Sequence, residues 1–282
     1  MPYHQACSLP AISAHRGGAE VAPAGTWDAF NAALDASAEY VEFDVRQTRD
    51  GTWVVFHDEH TGMPARPVRA LHYEELCETA GYLIPKATAV MEILARRVIG
   101  HLDLKEPTDE KAIVGPAIDI FGAGGFIATT EHPASIRRMR SFAPAVRTAL
   151  STGKRRVGLS QWRQPTSPNR RFDPRWVIDS GADCVALNHN LANERVLRTF
   201  RRNGVGVLLW TVNDPTLITR HLADTRIDVL ITDRPRLASG IRSEMATPGR
   251  ELTTSSAAGG PPATTGVQSE KRSLRRSRGQ WT

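Results

Sequence analysis

Cysteine is scarce in this chain of 282 residues, and long apolar runs are missing from it. Its three cysteines, Cys7, Cys77 and Cys184, are odd in number and show no CxxC spacing, which argues against a disulfide framework and a zinc–thiolate site. No stretch approaches the roughly 18 apolar residues of a transmembrane helix. The first residues carry no basic segment followed by an apolar one, so no signal peptide is predicted and we expect a cytoplasmic protein.

Positive charge is concentrated at the C-terminal end. The formal net charge is +6, and the residues from Ile241 onward contribute +4 of it, because they contain seven Lys or Arg against three Glu. The nearly neutral remainder argues against a nucleic-acid partner. Residues 243–282 are rich in small and polar residues and lack an amphipathic period. We therefore predict a folded domain at 10–242 and a disordered basic tail at 243–282.

The tail ends in a cluster of Lys and Arg between Lys271 and Arg278. Such a cluster could make weak contact with an anionic membrane. The simpler interpretation, a solubilising extension, is favoured because the tail shows no pattern beyond its charge.

Short apolar runs alternate with helical patterns from Ile12 to Asp233. Most runs lack polar alternation, as expected of strands buried on both faces. Eight strands are predicted, at 12–14, 40–45, 98–104, 125–129, 146–150, 184–187, 206–211 and 229–232. Helices are predicted after Thr26 and at 87–97, 132–142, 193–202 and 214–223. This repetition indicates the α/β class and a (β/α)8 TIM barrel, with a doubly wound sheet as the alternative.

One feature interrupts the alternation after the second strand. The sequence Arg49-Asp50-Gly51-Thr52 is typical of a hairpin turn. It predicts that Trp53–His57 returns antiparallel to the second strand, as a small hairpin insertion. His57 then lies close to the C-terminal ends of the barrel strands, where barrel active sites are built.

Acidic residues follow a spacing of two at the ends of predicted strands. Glu42 and Asp44 belong to the second strand, and Asp103 ends the third with Lys105 two residues later. Residues i and i+2 of a strand share a face, so the carboxylates converge and repel unless a cation separates them. A solvated edge strand is the alternative for the first pair, and a salt bridge for the second. As metal ligands, Glu42, Asp44 and Asp103 favour Mg²⁺, Ca²⁺ or Mn²⁺ over zinc.

Other chemistry-bearing residues occupy strand ends as well. His15 and Arg16 end the first strand, and with His57 they supply an acid, a base and a fixed cation. Arg16 and Lys105 are suited to a phosphate diester anion. Trp210 ends the seventh strand, where it could form a pocket wall. A single His or Trp in such a place is more often structural, so the hypothesis depends on their coincidence.

With these residues the chain resembles the glycerophosphodiester phosphodiesterase family. The matching pieces are His15-Arg16-Gly17, Glu42-x-Asp44, His57-Asp58, Asp103-Leu104-Lys105, Trp210-Thr211-Val212-Asn213 and Ile231-Thr232-Asp233-Arg234-Pro235. The resemblance implies a TIM barrel with a divalent cation, Mg²⁺ or Ca²⁺. It implies His15 and His57 as the acid–base pair and Glu42 and Asp44 as metal ligands. It also places Arg16 and Lys105 on the phosphate, with Trp210 beside the substrate.

Two departures bear on the substrate. The family commonly has Pro-Glu-Asn-Thr where this chain has Pro23-Ala24-Gly25-Thr26, and Asp103 stands where bacterial members commonly have Glu. Venom-type phospholipase D relatives also have Asp at that position. The predicted function is metal-dependent hydrolysis of glycerophosphodiesters to an alcohol and glycerol phosphate. The alternatives are a phospholipase D-type diesterase acting on lysophospholipids, and a catalytically impaired barrel that binds phosphodiesters.

Overall fold

Eight parallel strands close into a barrel in the computed structural model, which describes residues 9–107, 109–152 and 172–246. The strands are β1 (Ala11–Ala14), β2 (Tyr40–Gln47), β3 (Trp53–Val55), β4 (His60–Thr61), β5 (Arg66–Pro67), β6 (Ile99–Leu104), β7 (Phe126–Thr130), β8 (Arg147–Ser151), β9 (Cys184–Asn188), β10 (Gly206–Trp210) and β11 (Val229–Thr232). The ring runs β1-β2-β6-β7-β8-β9-β10-β11, and β1 pairs with both β2 and β11. This closure confirms the predicted barrel, because a doubly wound sheet would leave two edges open.

The helices pack around the barrel. They are α1 (Trp27–Leu34), α2 (Tyr73–Ala80), α3 (Ala87–Leu94), α4 (Glu110–Phe121), α5 (Pro133–Phe142), α6 (Arg175–Ile178), α7 (Glu194–Arg202), α8 (Pro215–Leu222) and α9 (Pro235–Ala246). The Thr26 hydroxyl caps α1 by accepting a hydrogen bond from the amide of Ala29, as the sequence predicted. Helix α4 was not predicted, since Gly115 and Pro116 interrupt its pattern.

Successive side chains of each barrel strand point alternately to two apolar cores, one between the strands and the helices and one inside the barrel. On β2, Val41, Phe43 and Val45 face outward and pack with the helices, whereas Tyr40 belongs to a smaller cluster inside the barrel. Glu42 and Asp44 follow Tyr40 at intervals of two and share its inward face. Strand β2 therefore presents two carboxylates toward the C-terminal end of the barrel interior.

The insertion after β2 is larger than a hairpin. Strand β3 pairs antiparallel with β2, with Val55 opposite Val45, as predicted. The chain then forms the β4–β5 pair and α2 before it rejoins the barrel at α3. A small apolar core of its own supports this segment, formed by Val54, Val68, Leu71, Leu76 and Ile84.

The last described helix, α9, continues to Ala246, a few residues beyond the predicted domain end at 242. The rest of the predicted tail, 247–282, lies outside the described residues, as does Cys7. The domain boundary therefore stays a prediction. Among the residues that the structure describes, no helix combines the length and the apolar character needed to cross a membrane.

Candidate active site

The segment after β1 turns sharply toward the barrel axis. Arg16 adopts a left-handed conformation with φ 51°, which costs a non-glycine residue about 1–3 kcal/mol and needs support from its surroundings. Its amide supplies that support by donating a hydrogen bond to Oε2 of Glu42 at 2.8 Å. The next residue, Gly17, also has positive φ, and an added Cβ would lie 2.8 Å from the main chain of Ala29. Glycine thus allows this loop to approach α1 closely.

Three carboxylates converge at the ends of β2 and β6. Oxygens of Glu42, Asp44 and Asp103 all lie within 4.8 Å of one another. The register explains the convergence, because Asp44 pairs directly with Asp103 across the two parallel strands. Both side-chain oxygens of Asp44 and Oδ1 of Asp103 are buried, and none accepts a hydrogen bond from the described residues. Buried carboxylate oxygens that accept no hydrogen bond are suited to ligating a cation.

Two cations border this cluster. The Lys105 ammonium lies 2.6 Å from Oδ1 of Asp44 and 2.5 Å from Oδ2 of Asp103. Arg16 Nε lies 3.4 Å from Oδ2 of Asp44. The contacts with Asp44 lack hydrogen-bond angles, so they act chiefly through charge. Burial by itself would lower the pKa of Lys105, but the charges of Asp103 and Asp44 outweigh it and raise that pKa.

The carboxylates of β2 titrate differently. Burial, reinforced by the neighbouring Asp44 charge, raises the pKa of Glu42 to about 8. Burial would also raise the pKa of Asp44, but Lys105, His57 and Arg16 together hold it below its usual value.

The ring of His15 is oriented by a residue that follows the last barrel strand. Its Nδ1 lies 2.5 Å from Oδ1 of Asp233, which follows β11. Asn213 holds that carboxylate, donating to Oδ2 at 2.5 Å and accepting from the Asp233 amide at 2.9 Å. Burial lowers the pKa of His15, but the Asp233 hydrogen bond and the Glu42 charge outweigh it, so the pKa is raised. With Nδ1 on Asp233, Nε2 is the ring nitrogen that remains for proton exchange; it accepts a long hydrogen bond from Nε of Arg16 at 3.5 Å and lies 3.9 Å from Glu42.

His57 occupies a more open position after β3. Its Nδ1 contacts Oδ1 of Asp58 at 2.7 Å, and its side chain is 46% exposed. It lies close enough to Asp44 for its charge to lower the pKa of that carboxyl. Trp210 packs over the interior cluster of the barrel and donates its indole N–H to the carbonyl of Ala186.

A polar layer lies beneath the carboxylates. His101 pairs with Glu42 across the strands, its Nε2 contacts the Thr129 hydroxyl at 2.7 Å, and its Nδ1 lies 3.4 Å from the Ser13 hydroxyl. Burial, with smaller contributions from nearby cations, lowers the pKa of His101 to about 3. This histidine is a neutral structural residue in the folded protein.

His101 makes one acid-sensitive contribution to the stability of the metal-free protein. The unfolded chain binds a proton at this histidine below about pH 6.5, whereas the folded chain does not until about pH 3. This contribution is therefore lost as pH falls through that window, by up to about 1.4 kcal/mol per pH unit. We expect His101→Gln to remove it, so that the free energy of unfolding in urea with EDTA decreases less, or increases more, in the variant than in the wild type as pH falls from 6.5 to 5. An unchanged slope in the variant would contradict this assignment.

Six of the eight predicted site residues form one contact network, namely His15, Arg16, Glu42, Asp44, Asp103 and Lys105. His57 reaches this network only through its charge, which lowers the pKa of Asp44, and no described contact joins Trp210 to it. Sequence reasoning assigned no role to Asp233 or Asn213, although both stand in the quoted motifs. It also missed Arg46 and Glu106, and for Arg46 the signal was present, since it continues the spacing of Glu42 and Asp44.

Comparisons with known proteins identify the family of this chain. The profile of the Glycerophosphoryl diester phosphodiesterase family matches residues 15–113 and 110–237. A glycerophosphodiester phosphodiesterase of Caldanaerobacter subterraneus subsp. tengcongensis is 44% identical over 245 residues, which cover 79% of this chain and 94% of that protein. One from Bacillus altitudinis is 26% identical over 259 residues, covering 83% and 98%.

A solved structure extends the likeness to the fold. The glycerophosphodiester phosphodiesterase of Thermotoga maritima superposes with a TM-score of 0.65 at 22% identity, covering 84% of this chain and all of that one. The resemblance found in the sequence and the prediction of a phosphoric diester hydrolase are both confirmed. The chain belongs to the glycerophosphoryl diester phosphodiesterase family.

Proposed function

We propose that the chain is a metal-dependent glycerophosphodiester phosphodiesterase in which His15 and His57 perform acid–base catalysis beside a cation held by Glu42, Asp44 and Asp103. The observation that carries the proposal is the convergence of three carboxylates within 4.8 Å, with buried oxygens of Asp44 and Asp103 that accept no hydrogen bond from the described residues. A shell of oxygen ligands alone suits Mg²⁺ or Ca²⁺. A bound divalent ion would polarise the phosphoryl group and make the attacking hydroxyl more acidic.

The two histidines supply the proton transfers. The glycerol hydroxyl next to the phosphate attacks phosphorus, and one histidine takes its proton as the new P–O bond forms. The other histidine donates a proton to the leaving alcohol as the old P–O bond breaks. The cyclic phosphate is then opened by water with the proton transfers reversed, which yields glycerol phosphate. Lys105 and Arg16 stabilise the charge on the phosphate oxygens.

The contacts of each histidine support these assignments. Asp233 accepts from Nδ1 of His15 and Asp58 contacts Nδ1 of His57, so Nε2 is the proton-exchanging nitrogen of each ring. The Nε2 of His15 also accepts a long hydrogen bond from Nε of Arg16 at 3.5 Å, which a bound substrate would replace. His15 is mostly buried and borders Glu42, whereas His57 is open to solvent. The exposed position suits contact with a leaving alcohol that departs into water, and the buried one suits a hydroxyl held near the carboxylates.

A relative shows product binding in the same fold. A phosphodiesterase of Oleispira antarctica was solved in complex with the product sn-glycerol-3-phosphate, and it superposes on this chain with a TM-score of 0.65 at 18% identity. The coverage is 83% of this chain and 97% of that one. This supports a glycerol phosphate product, and it leaves the group esterified to the phosphate open.

A substrate panel tests the proposal. We expect glycerophosphocholine to be converted to glycerol phosphate in the presence of Mg²⁺ or Ca²⁺, with phosphorus NMR identifying the products. Turnover of lysophosphatidylcholine alone would favour the phospholipase D-type alternative, whose members also have Asp at the position of Asp103. Binding without turnover of either diester would indicate an impaired barrel, and both of these results would overturn the proposal.

A further inference from the structure

Arg46 connects its own strand, β2, to two other parts of the site. It lies on β2 two residues beyond Asp44, and its side chain is 9% exposed. Its Nε and Nη2 both donate to the main-chain carbonyl of His57, at 3.1 and 3.0 Å. Its Nη1 donates to Oε1 of Glu106 at 2.6 Å, just after Lys105. One buried guanidinium thus joins the ends of β2 and β6 to the backbone of a proposed catalytic residue.

The position of His57 depends on such backbone contacts. Its only described side-chain partner is the adjacent Asp58, which is itself 71% exposed. A pair between neighbours in the chain sets the rotation of the ring, but it does not place the ring relative to the barrel. The barrel supplies two anchors instead, the carbonyl of Asp44, which accepts from the Phe56 amide at 3.1 Å, and the guanidinium of Arg46.

We infer that Arg46, oriented by Glu106, is a positioning residue that fixes His57 against the strand carrying Glu42 and Asp44. The planar guanidinium suits this role, because it grips one carbonyl with two donors and keeps a third for Glu106. The inference rests on the proposed function, since it takes His57 as one of the acid–base pair. Arg46 donates all its described bonds to the protein, so it acts on the rate through His57.

The first test compares steady-state kinetics of Arg46 variants. We expect Arg46→Gln to lower kcat about 10- to 100-fold, the cost typical of losing a residue that orients a ligand, with KM for glycerophosphocholine nearly unchanged. Arg46→Lys keeps the charge and one donor, so it should recover part of the loss. The matched control is Arg242→Gln, because Arg242 also binds a carboxylate, Glu39, and main-chain carbonyls, but at the opposite end of β2. The control should keep wild-type kcat.

A second measurement does not need activity. The histidine ring signals in a long-range proton–nitrogen NMR spectrum can be assigned to His57 by their loss in His57→Ala. We expect Arg46→Gln to shift or broaden these signals while those of His15 stay unchanged. If Arg46→Gln unfolds because the partly buried Glu106 has lost its partner, the double variant Arg46→Gln with Glu106→Gln removes that charge and serves instead.

A double-mutant cycle separates this inference from the proposed function. Arg46→Gln should add little to the loss in His57→Ala, because the group it positions is already gone. Independent, multiplying losses would overturn the inference, and so would unchanged His57 signals or unchanged kcat in Arg46→Gln. Full activity in His57→Ala would instead refute the role of His57 in the proposed function.

Discussion

Asp44→Asn is expected to abolish most activity, because it should lower the affinity for the divalent ion at least about 100-fold. Loss of a residue that only orients a ligand costs about 10- to 100-fold, and loss of a ligand itself should cost more. Asp44 is the best-placed ligand, since both its oxygens are buried and accept no hydrogen bond from the described residues. Its lowered pKa keeps it charged throughout the physiological range. Asparagine retains the shape but offers one neutral oxygen, so the site loses charge without losing volume.

Two readouts check this result. Chelation with EDTA should stop turnover in the wild type, and added Mg²⁺ or Ca²⁺ should restore it. The ion should also raise the midpoint of thermal unfolding in the wild type and not in Asp44→Asn, because a ligand stabilises only a fold that binds it. Asp119→Asn, an exposed carboxylate on α4, is the matched control and should behave as the wild type. Full activity in excess chelator with no metal in the purified protein would refute metal dependence.

His15→Ala and His57→Ala should each lower kcat by about 10²- to 10⁴-fold, the range for a positioned proton-transfer group. Metal-dependent thermal stabilisation should persist in both, since neither is a proposed ligand. His132→Ala is the control, because His132 also follows a barrel strand, β7, but has no described contact with the cluster. A near wild-type rate in either variant would remove that histidine from the mechanism.

The leaving group distinguishes the two roles. A nitrophenol ester needs little protonation as it departs, so loss of the general acid should matter far less with that substrate than with glycerophosphocholine. Loss of the base should cost the same with both. We expect His57→Ala to show the leaving-group dependence and His15→Ala to lack it, because His57 is the exposed member of the pair. The opposite pattern would exchange their roles.

Local pattern was sufficient to predict the barrel and the position of the carboxylates. Apolar runs located the eight barrel strands, and the cap at Thr26 located the start of α1. The spacing of Glu42 and Asp44 placed both on one face, because side chains of a strand alternate with a period of two. The regular repetition of strands in turn predicted that their C-terminal ends would meet. Helix α4 escaped prediction because an internal proline obscured it.

Partnerships between distant residues were decided only by the tertiary structure. His15 meets Asp233 across 218 residues because β1 pairs with β11, and no local spacing reveals that the ring closes there. The grip of Arg46 on His57 likewise depends on how the inserted hairpin returns beside β2. Burial, which raises the pKa of Glu42, is also a property of the closed barrel. The sequence by itself determined which residues face the barrel axis, because side chains alternate along a single strand. Closure of the barrel decided which of these residues contact one another, and burial in the closed barrel decided how their pKa values shift.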